Sequence, residues 1–199
     1  MKRCWTDLIA AALLLILPYL LAASGEGKDF LITLNGSKLT GEIKVTANDK
    51  GKSEISFQND FGDVYAIHPA TIFGFAYQDK DEVFLYESKK LDGKWQFLKV
   101  EKKGEAVNLY SSSEKQLQFI SSGESPVVVK VKNPQSWVQF KGQPPIKVHK
   151  WNYKGLLKEK MAAYPELVEM IGKRGFKFSN LSMMVDLYNK FHSDSFKTL

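Results

Sequence analysis

The side chains best suited to metal binding or catalysis are scattered along this chain. Its three histidines, His68, His149 and His192, lie in separate segments. None has a second histidine or an acid at zinc-ligand spacing on a common helix, so the sequence predicts no metal site. The glycine motifs of nucleophile elbows, phosphate loops and dinucleotide-binding folds are absent from the sequence, and no cofactor is predicted.

The acidic residues give no clear catalytic pair. Those that cluster fall in predicted turns: Asp60, Asp63, Asp79, Asp81 and Glu82. A glycosidase needs two carboxylates across a cleft, roughly 5–10 Å apart, whereas Asp in turns is common because it suits turn backbone geometry. No catalytic residue is assigned, and the sequence favours a non-enzymatic protein. A hydrolase whose site assembles from distant positions stays an alternative.

One connector, KVHKWNYK, combines aromatic and basic residues. Trp151 and Tyr153 lie among Lys147, Lys150 and Lys154. Aromatic rings of this kind stack on sugar rings or apolar side chains, and the lysines would attract an acidic partner. We therefore predict these five residues as a binding site. The alternative is that Trp151 packs on the following helices and the lysines are only solvated.

The elements that must position these residues begin with a β-rich segment. Apolar and polar residues alternate along short runs spaced by about ten residues, as in an antiparallel barrel, sandwich or meander. Asn35-Gly36 between the first two runs predicts a type I′ hairpin turn, which needs positive φ at both central residues. The predicted strands are residues 30–34, 38–45, 53–58, 64–68, 71–77, 82–88, 95–101, 106–111, 117–121 and 127–132.

Aromatic residues alternate along three successive predicted strands. They are Phe73, Phe75, Tyr77, Phe84, Tyr86, Trp95 and Phe97. Because aromatic ladders between neighbouring strands usually pack together, these residues are predicted to form part of the core.

A proline-rich connector and a helical segment follow the strands. The connector, NPQSWVQFKGQPPIK, is predicted to hold one short strand, residues 137–140. Apolar residues then recur at three- and four-residue spacing. Pro165 predicts a break near Tyr164 and the start of a second short helix, and Ser179 is predicted to cap a last helix.

The first residues match a signal peptide. Lys2 and Arg3 precede an apolar run, Leu8 to Ala23, and small residues follow it. We predict that residues 1–24 are removed on export. The alternative is a retained membrane anchor, but Pro18 interrupts the run and no basic cluster follows it.

Export also limits the partners. Cys4 is the only cysteine and lies in the predicted signal peptide, so the exported protein has no disulfide. The formal net charge of the whole chain is +6, and its basic clusters have acids close by, which is typical of a solvated surface. An exported protein of this charge is not expected to bind nucleic acid. An envelope protein or a glycan is the predicted partner.

Three stretches together resemble a family: FLITLNGSKLTGEI, IHPATIFGF and the closing MAAYPELVEMIGKRGFKFSNLSMMVDLYNKF. They are similar to exported Bacteroidota proteins that begin with an ITLNGxxxxGxI-like hairpin and end in a helical segment. The matching residues are Asn35, Gly36, Gly41, Pro165, Leu167, Ile171, Tyr188 and Asn189. Ser37 departs from the family, where an acid is commoner. The resemblance implies a bacterial envelope or secreted location and carries over no catalytic residue.

The sequence thus predicts a single α+β domain over residues 28–199. An antiparallel β-rich body, barrel- or sandwich-like, spans residues 28–148, and a small C-terminal helical cap spans residues 154–192. No transmembrane segment is expected after the signal peptide. The predicted function is an exported binding module, periplasmic, outer-envelope associated or secreted. The alternatives are a hydrolase and a carrier of a small apolar ligand inside the barrel.

Overall fold

The structure, a computed structural model, describes residues 29–47, 53–79, 82–112, 115–118, 127–130 and 135–197. The predicted signal peptide lies outside them. The strands are β1 (Asp29–Thr33), β2 (Lys38–Ala47), β3 (Ser53–Asn59), β4 (Val64–Ala66), β5 (Ile72–Asp79), β6 (Glu82–Leu91), β7 (Lys94–Lys102), β8 (Val107–Ser111), β9 (Lys115–Gln118), β10 (Val127–Lys130), β11 (Ser136–Phe140) and β12 (Ile146–Val148). The helices are α1 (Tyr153–Lys160), α2 (Pro165–Met170) and α3 (Leu181–Lys197), with a 3-10 helix at Phe178–Asn180.

Ten of these strands form one antiparallel sheet. Their order is β12-β11-β8-β7-β6-β5-β1-β2-β3-β4, and β9 and β10 form a separate two-stranded sheet. The sheet is open, with β12 and β4 at its edges. The predicted antiparallel β-rich body followed by a small helical cap is therefore confirmed. β12 was not predicted from the sequence, and it begins at the end of the proline-rich connector.

The first strand lies inside the sheet. β1 pairs with β2 on one side and with β5 on the other. At its start, the two carboxylate oxygens of Asp29 each accept a backbone hydrogen bond of 2.8 Å, one from the amide of Ile43 and one from the amide of Gln78. The Asp29 side chain thus ties β2 to β5 where the backbone of β1 begins.

The predicted type I′ turn at Asn35-Gly36 is wrong. Only Gly36 has a positive φ in this loop, at 85°. The Gly36 amide donates to the Thr33 carbonyl and the Thr33 amide to the Ser37 carbonyl, both at 3.0 Å. This is a three-residue loop in which a glycine in the left-handed region follows a tight turn. The Asn35 side chain favours it by accepting a hydrogen bond of 3.2 Å from the Ser37 amide.

Replacing Gly36 with valine should lower the free energy of unfolding by about 1–3 kcal/mol, because a β-branched residue is strained at positive φ. No atom lies within 4 Å of a Cβ built on Gly36, so the cost comes from the backbone and not from a clash. Gly36→Asn is the matched control and should cost less, since Asn tolerates this conformation. Urea denaturation measures both. Equal midpoints for the wild type and the valine variant would contradict the turn assignment.

Three groups of buried side chains stabilise the domain. The cap cluster joins the helices to the sheet: Val107, Leu109, Val138, Phe140, Val148, Tyr153, Leu157, Met161, Leu167, Ile171, Leu181, Met184 and Val185. The aromatic cluster is Leu31, Ile55, Phe57, Ile67, Ile72, Phe75, Tyr86 and Phe97. The opposite-face cluster is Leu91, Leu98, Tyr110 and Trp137.

The cap cluster and the aromatic cluster lie on the same face of the sheet. Successive residues of a strand point to opposite faces. On β7, Phe97 belongs to the aromatic cluster and Leu98 to the opposite-face cluster. On β8, Leu109 belongs to the cap cluster and Tyr110 to the opposite-face cluster. The helices therefore cover the end of this face that runs from β7 and β8 to β12, and the face continues beyond them to β3.

The predicted aromatic core is confirmed for the residues in the middle of the strands. Phe75, Tyr86 and Phe97 are buried, and Tyr77 and Phe84 pack against them. Phe75 and Tyr86 stack with centroids 5.0 Å apart, and the edge of Phe97 meets Phe75 at 4.9 Å. The prediction is wrong for Phe73 and Trp95, which are exposed near the strand ends.

The helical cap begins and breaks as predicted, with one correction. Pro165 is the first residue of α2, directly after the break at Tyr164. Ser179 does not cap α3, because it lies within the 3-10 helix that precedes α3 and its hydroxyl bonds to Asn180 Oδ1 at 3.2 Å. The 3-10 helix leads directly into α3, which begins at Leu181.

The Asn189 side chain on α3 fastens the cap to the sheet. Its Oδ1 accepts hydrogen bonds from the backbone amides of Ala106 at 3.1 Å and Val107 at 3.0 Å. Its Nδ2 donates to the Val107 carbonyl at 2.9 Å. The Asn189 side chain thus forms hydrogen bonds with the backbone at the start of β8 in the way that a neighbouring strand would.

Candidate functional site

The end of the sheet that the helices leave uncovered carries many exposed apolar side chains. Six large ones lie among the described side chains between residues 34 and 73: Leu34, Leu39, Phe61, Val64, Tyr65 and Phe73. The β1–β2 loop and the β3–β4 loop lie where β1 and β3 end and β2 and β4 begin, so in the antiparallel sheet both loops are on the same side. Leu34 lies in the first loop and Phe61 in the second. Three of the six, Leu39, Phe61 and Tyr65, border one cavity, and large exposed apolar groups that lie together usually mark a binding surface.

Hydrogen bonds fix the β3–β4 loop in the same geometry as the β1–β2 loop. The Asn59 amide donates to the Asp63 carbonyl and the Gly62 amide to the Asn59 carbonyl, both at 3.0 Å. Asn59 Oδ1 also accepts hydrogen bonds from the amides of Phe61 at 3.0 Å and Asp63 at 2.8 Å. Phe61, 91% exposed, is thus held in water by an ordered loop.

A cavity of about 510 Å³ lies beside this loop. Four residues of the aromatic cluster line it, namely Leu31, Phe57, Ile67 and Ile72. The cavity is therefore the open end of the core on this face. Its rim includes the exposed side chains of Leu39, Phe61 and Tyr65.

Five polar residues border the cavity, and all but the half-buried Asn59 are exposed: Lys38, Thr40, Asn59, Asp60 and Thr71. Thr40 Oγ1 donates to Asp60 Oδ2 at 3.0 Å, which joins the rim residues of β2 to those of the β3–β4 loop. Lys38 Nζ lies 4.0 Å from the centroid of the Phe30 ring. The rim therefore offers one cation and one carboxylate around an apolar floor.

Gly41 allows the wall of the cavity to form. A Cβ at this position would lie 2.2 Å from the Gln58 carbonyl oxygen and 2.6 Å from the Phe57 ring. Only glycine lets β2 and the Phe57 ring approach this closely. Gly41 is one of the residues that match the hairpin motif described above. The close approach of the Gln58 carbonyl and the Phe57 ring explains why this position needs a glycine.

The structure separates the five residues predicted as a binding site. Trp151 is 82% exposed and stacks on His149 with centroids 5.1 Å apart. Lys150 and Lys154 are exposed as well. Lys147 Nζ lies 5.9 Å from the centroid of the Trp137 ring.

The prediction is wrong for Tyr153. As the first residue of α1 it points into the cap cluster, is 4% exposed and lies 5.9 Å from Phe178, centroid to centroid. It cannot stack on a ligand. What is left of the predicted site is one exposed tryptophan with exposed lysines near it in the sequence.

A buried glutamate with two lysine partners lies on the face of the sheet opposite the cavity. It was not predicted from the sequence. Glu87 on β6 is 3% exposed and binds the ammonium groups of Lys89, at 2.8 Å, and Lys103. The Tyr110 hydroxyl donates to Glu87 Oε2 at 2.8 Å. Burial opposes ionisation of this carboxyl, but the hydrogen bonds and charges of Lys103 and Lys89 outweigh burial and hold the pKa of Glu87 below its usual value. Burial and the Glu87 carboxylate raise the pKa of Tyr110.

The three histidines have local contacts in different parts of the fold. His68 Nδ1 accepts a hydrogen bond of 3.1 Å from the Ala70 amide, and His192 Nδ1 lies 3.3 Å from the Tyr164 hydroxyl. Over the described residues, no three His, Cys, Asp or Glu side chains come together in a way that would hold a metal ion.

Comparisons with family models, curated proteins and solved structures find no match to this chain. In the part of the chain that the structure describes, no helix has the length and apolarity needed to span a membrane. The cavity beside the β3–β4 loop is the candidate functional site, because it combines a core-lined floor with exposed aromatic side chains at its rim.

Proposed function

We propose that this protein is an exported, non-enzymatic binding module, and that an apolar group of its ligand occupies the cavity beside the β3–β4 loop. The observation that carries the proposal is the position of this cavity. It continues the core on a face where the helices stop, and Phe61 and Tyr65 stand exposed at its rim. Binding pockets are typically concave and mostly apolar, with a few polar groups at their edge.

Export is supported by the sequence of residues 1–24, with a basic start, an apolar run and small residues after it. The resemblance to exported Bacteroidota proteins agrees with it. The protein would then act in the periplasm, at the outer envelope or outside the cell.

The lining favours an apolar group over a glycan. A sugar ring needs polar partners wherever it is buried, whereas the polar residues here lie at the rim and the floor is formed by Leu31, Phe57, Ile67 and Ile72. The rim favours an apolar group that belongs to a larger partner molecule, because the cavity is open and the side chains of Phe61 and Tyr65 at its rim are exposed to water. A carrier of a small apolar ligand is the alternative, since the same cavity has room for one.

Replacing both Phe61 and Tyr65 with serine should weaken binding of the apolar fluorescent probe 8-anilinonaphthalene-1-sulfonate about tenfold, because both aromatic rim contacts are lost. Both side chains are exposed, so the fold should be retained. Trp151→Ser is the matched control, since it removes another exposed aromatic side chain outside the cavity. Fluorescence titration measures the affinities.

Equal probe affinity in the wild type and the double variant would contradict the cavity as the site. A loss of affinity only in Trp151→Ser would move the site to the connector predicted from the sequence. Hydrolysis of ester, glycoside or phosphoester substrates by the wild type would contradict the non-enzymatic function.

A further inference from the structure

The strand next to the cavity is an open edge of the sheet. β4 is the last strand in the order, and among the described residues its only paired neighbour is β3. All three of its residues, Val64, Tyr65 and Ala66, are exposed. Open edges present unpaired backbone groups to other chains, and many proteins keep them short or covered.

The ladder shows which backbone groups of β4 point outward. The Asn59 amide bonds to the Asp63 carbonyl at 3.0 Å, and the Ile67 amide bonds to the Ile55 carbonyl at 2.8 Å. In an antiparallel pair, every second residue directs both its N–H and its C=O to the neighbouring strand. Tyr65, midway between Asp63 and Ile67, therefore points its backbone groups toward β3. Those of Val64 and Ala66 point away from the sheet.

The outward groups and the cavity lie side by side. Tyr65 is directly opposite Phe57 in the ladder, so both side chains are on the same face, and both line the cavity. A strand added to β4 would lie about 4.8 Å from it. The added residue opposite Tyr65 would then place its side chain on the face of the cavity.

We infer that β4 binds an extended peptide segment of a partner protein by strand addition, with one apolar side chain of that segment entering the cavity. The outward amides and carbonyls of Val64 and Ala66 match the backbone of another strand, and the cavity supplies the side-chain preference, as is usual for this mode of recognition. This inference rests on the proposed function and names its partner class.

The charges near β4 add a second preference. Asp60 and Asp63 are exposed in the loop that leads into β4. A lysine or arginine near the apolar residue of the peptide would be attracted to them, so binding should weaken as the salt concentration rises.

The test uses the purified exported protein and fluorescein-labelled seven-residue peptides that alternate lysine or threonine with valine around a central Phe, Leu, Tyr or Trp. A second set carries the same side chains but has N-methyl groups on the backbone amides that would face β4. Ala66→Pro removes one outward N–H, and proline is tolerated on an edge strand. Ala66→Ser is its matched control and keeps that N–H.

Fluorescence polarisation should show binding of at least one peptide. We expect a loss of tenfold or more on N-methylation and in Ala66→Pro, and a change of less than twofold in Ala66→Ser. Ala66→Pro should still bind 8-anilinonaphthalene-1-sulfonate within about threefold of the wild type, because twelve of the thirteen residues that line the cavity are unchanged.

Equal affinity for the N-methylated peptide, or no peptide binding with normal probe binding, would overturn strand addition and leave the cavity proposal standing. Failure of the wild type to bind both peptide and probe would overturn both proposals. Light scattering measures the oligomeric state. A wild-type dimer that dissociates in Ala66→Pro would overturn a partner peptide as the occupant, because a second copy of the chain would then occupy the β4 edge.

Discussion

Replacing Glu87 with glutamine should lower the free energy of unfolding at pH 7 by about 3–5 kcal/mol, because breaking a buried ion pair leaves the partner charge without compensation. Glu87 is 3% exposed, and the Lys89 side chain that it binds is 14% exposed. Lys103, half exposed, can turn to water, but Lys89 cannot do so without leaving its position over the Tyr110 ring. The Tyr110 hydroxyl would lose its charged acceptor as well.

The same group should make stability depend on pH. The lysines lower the pKa of Glu87 in the folded protein, so the folded state binds this proton more weakly than the unfolded state does. Its contribution is therefore present above the ordinary pKa of glutamate, about 4.3, and is lost as the pH falls through the lower folded value. Wild type and Glu87→Gln should approach each other in stability toward pH 3.

Urea midpoints at pH 7 and pH 3 measure this effect. Glu101→Gln is a suitable control, since Glu101 pairs with Lys99 at 3.4 Å on the surface. Exposed pairs contribute about 0–1 kcal/mol. A loss for Glu87→Gln no larger than that of the control would show that the buried group does not stabilise the sheet.

Replacing Asn189 with leucine should cost about 3–5 kcal/mol. Leucine has nearly the same shape but leaves the amides of Ala106 and Val107 and the Val107 carbonyl without their partners. Both residues are buried, and each unsatisfied buried group costs about 1–3 kcal/mol. Calorimetric or urea unfolding measures the loss.

The neighbouring exposed residue provides the control for this prediction. Lys190→Leu makes a similar change on α3 at an exposed position and should shift stability by less than about 0.5 kcal/mol. If Asn189→Leu matched Lys190→Leu, the cap would be held by apolar packing alone and the hydrogen bonds of Asn189 would add nothing.

The sequence predicted those elements whose causes are local. Period-two alternation marks the strands, and Pro165 fixes the start of α2 because proline suits the first position of a helix. The type of the β1–β2 turn was predicted wrongly, since Asn35-Gly36 also fits the three-residue loop and the Asn35 side chain favours that loop.

The candidate site could not be predicted because its walls come from distant parts of the chain. Leu31 and Ile72 meet only through the β1–β5 pairing, and the cavity is the space that their neighbours leave unfilled. Glu87 gave no signal either, since a glutamate beside Ser88 and two lysines looks like a solvated strand. Tyr153, by contrast, was predictable, because it lies four residues before Leu157 on the buried side of α1.

The position of β1 has a consequence for how the protein folds. β2 to β4 and β5 to β8 are two sets of strands joined by short connections, so each can form from nearby residues. The β1–β5 ladder instead joins residues as far apart as Phe30 and Ala76, and such distant contacts form slowly because a long loop must close first. The aromatic cluster spans this ladder, with Phe57 on one side and Phe97 on the other. Formation of the β1–β5 ladder is therefore the step that completes the aromatic cluster. Separating β1 from β5 would expose this cluster on both sets of strands, so the two sets should unfold as one cooperative unit.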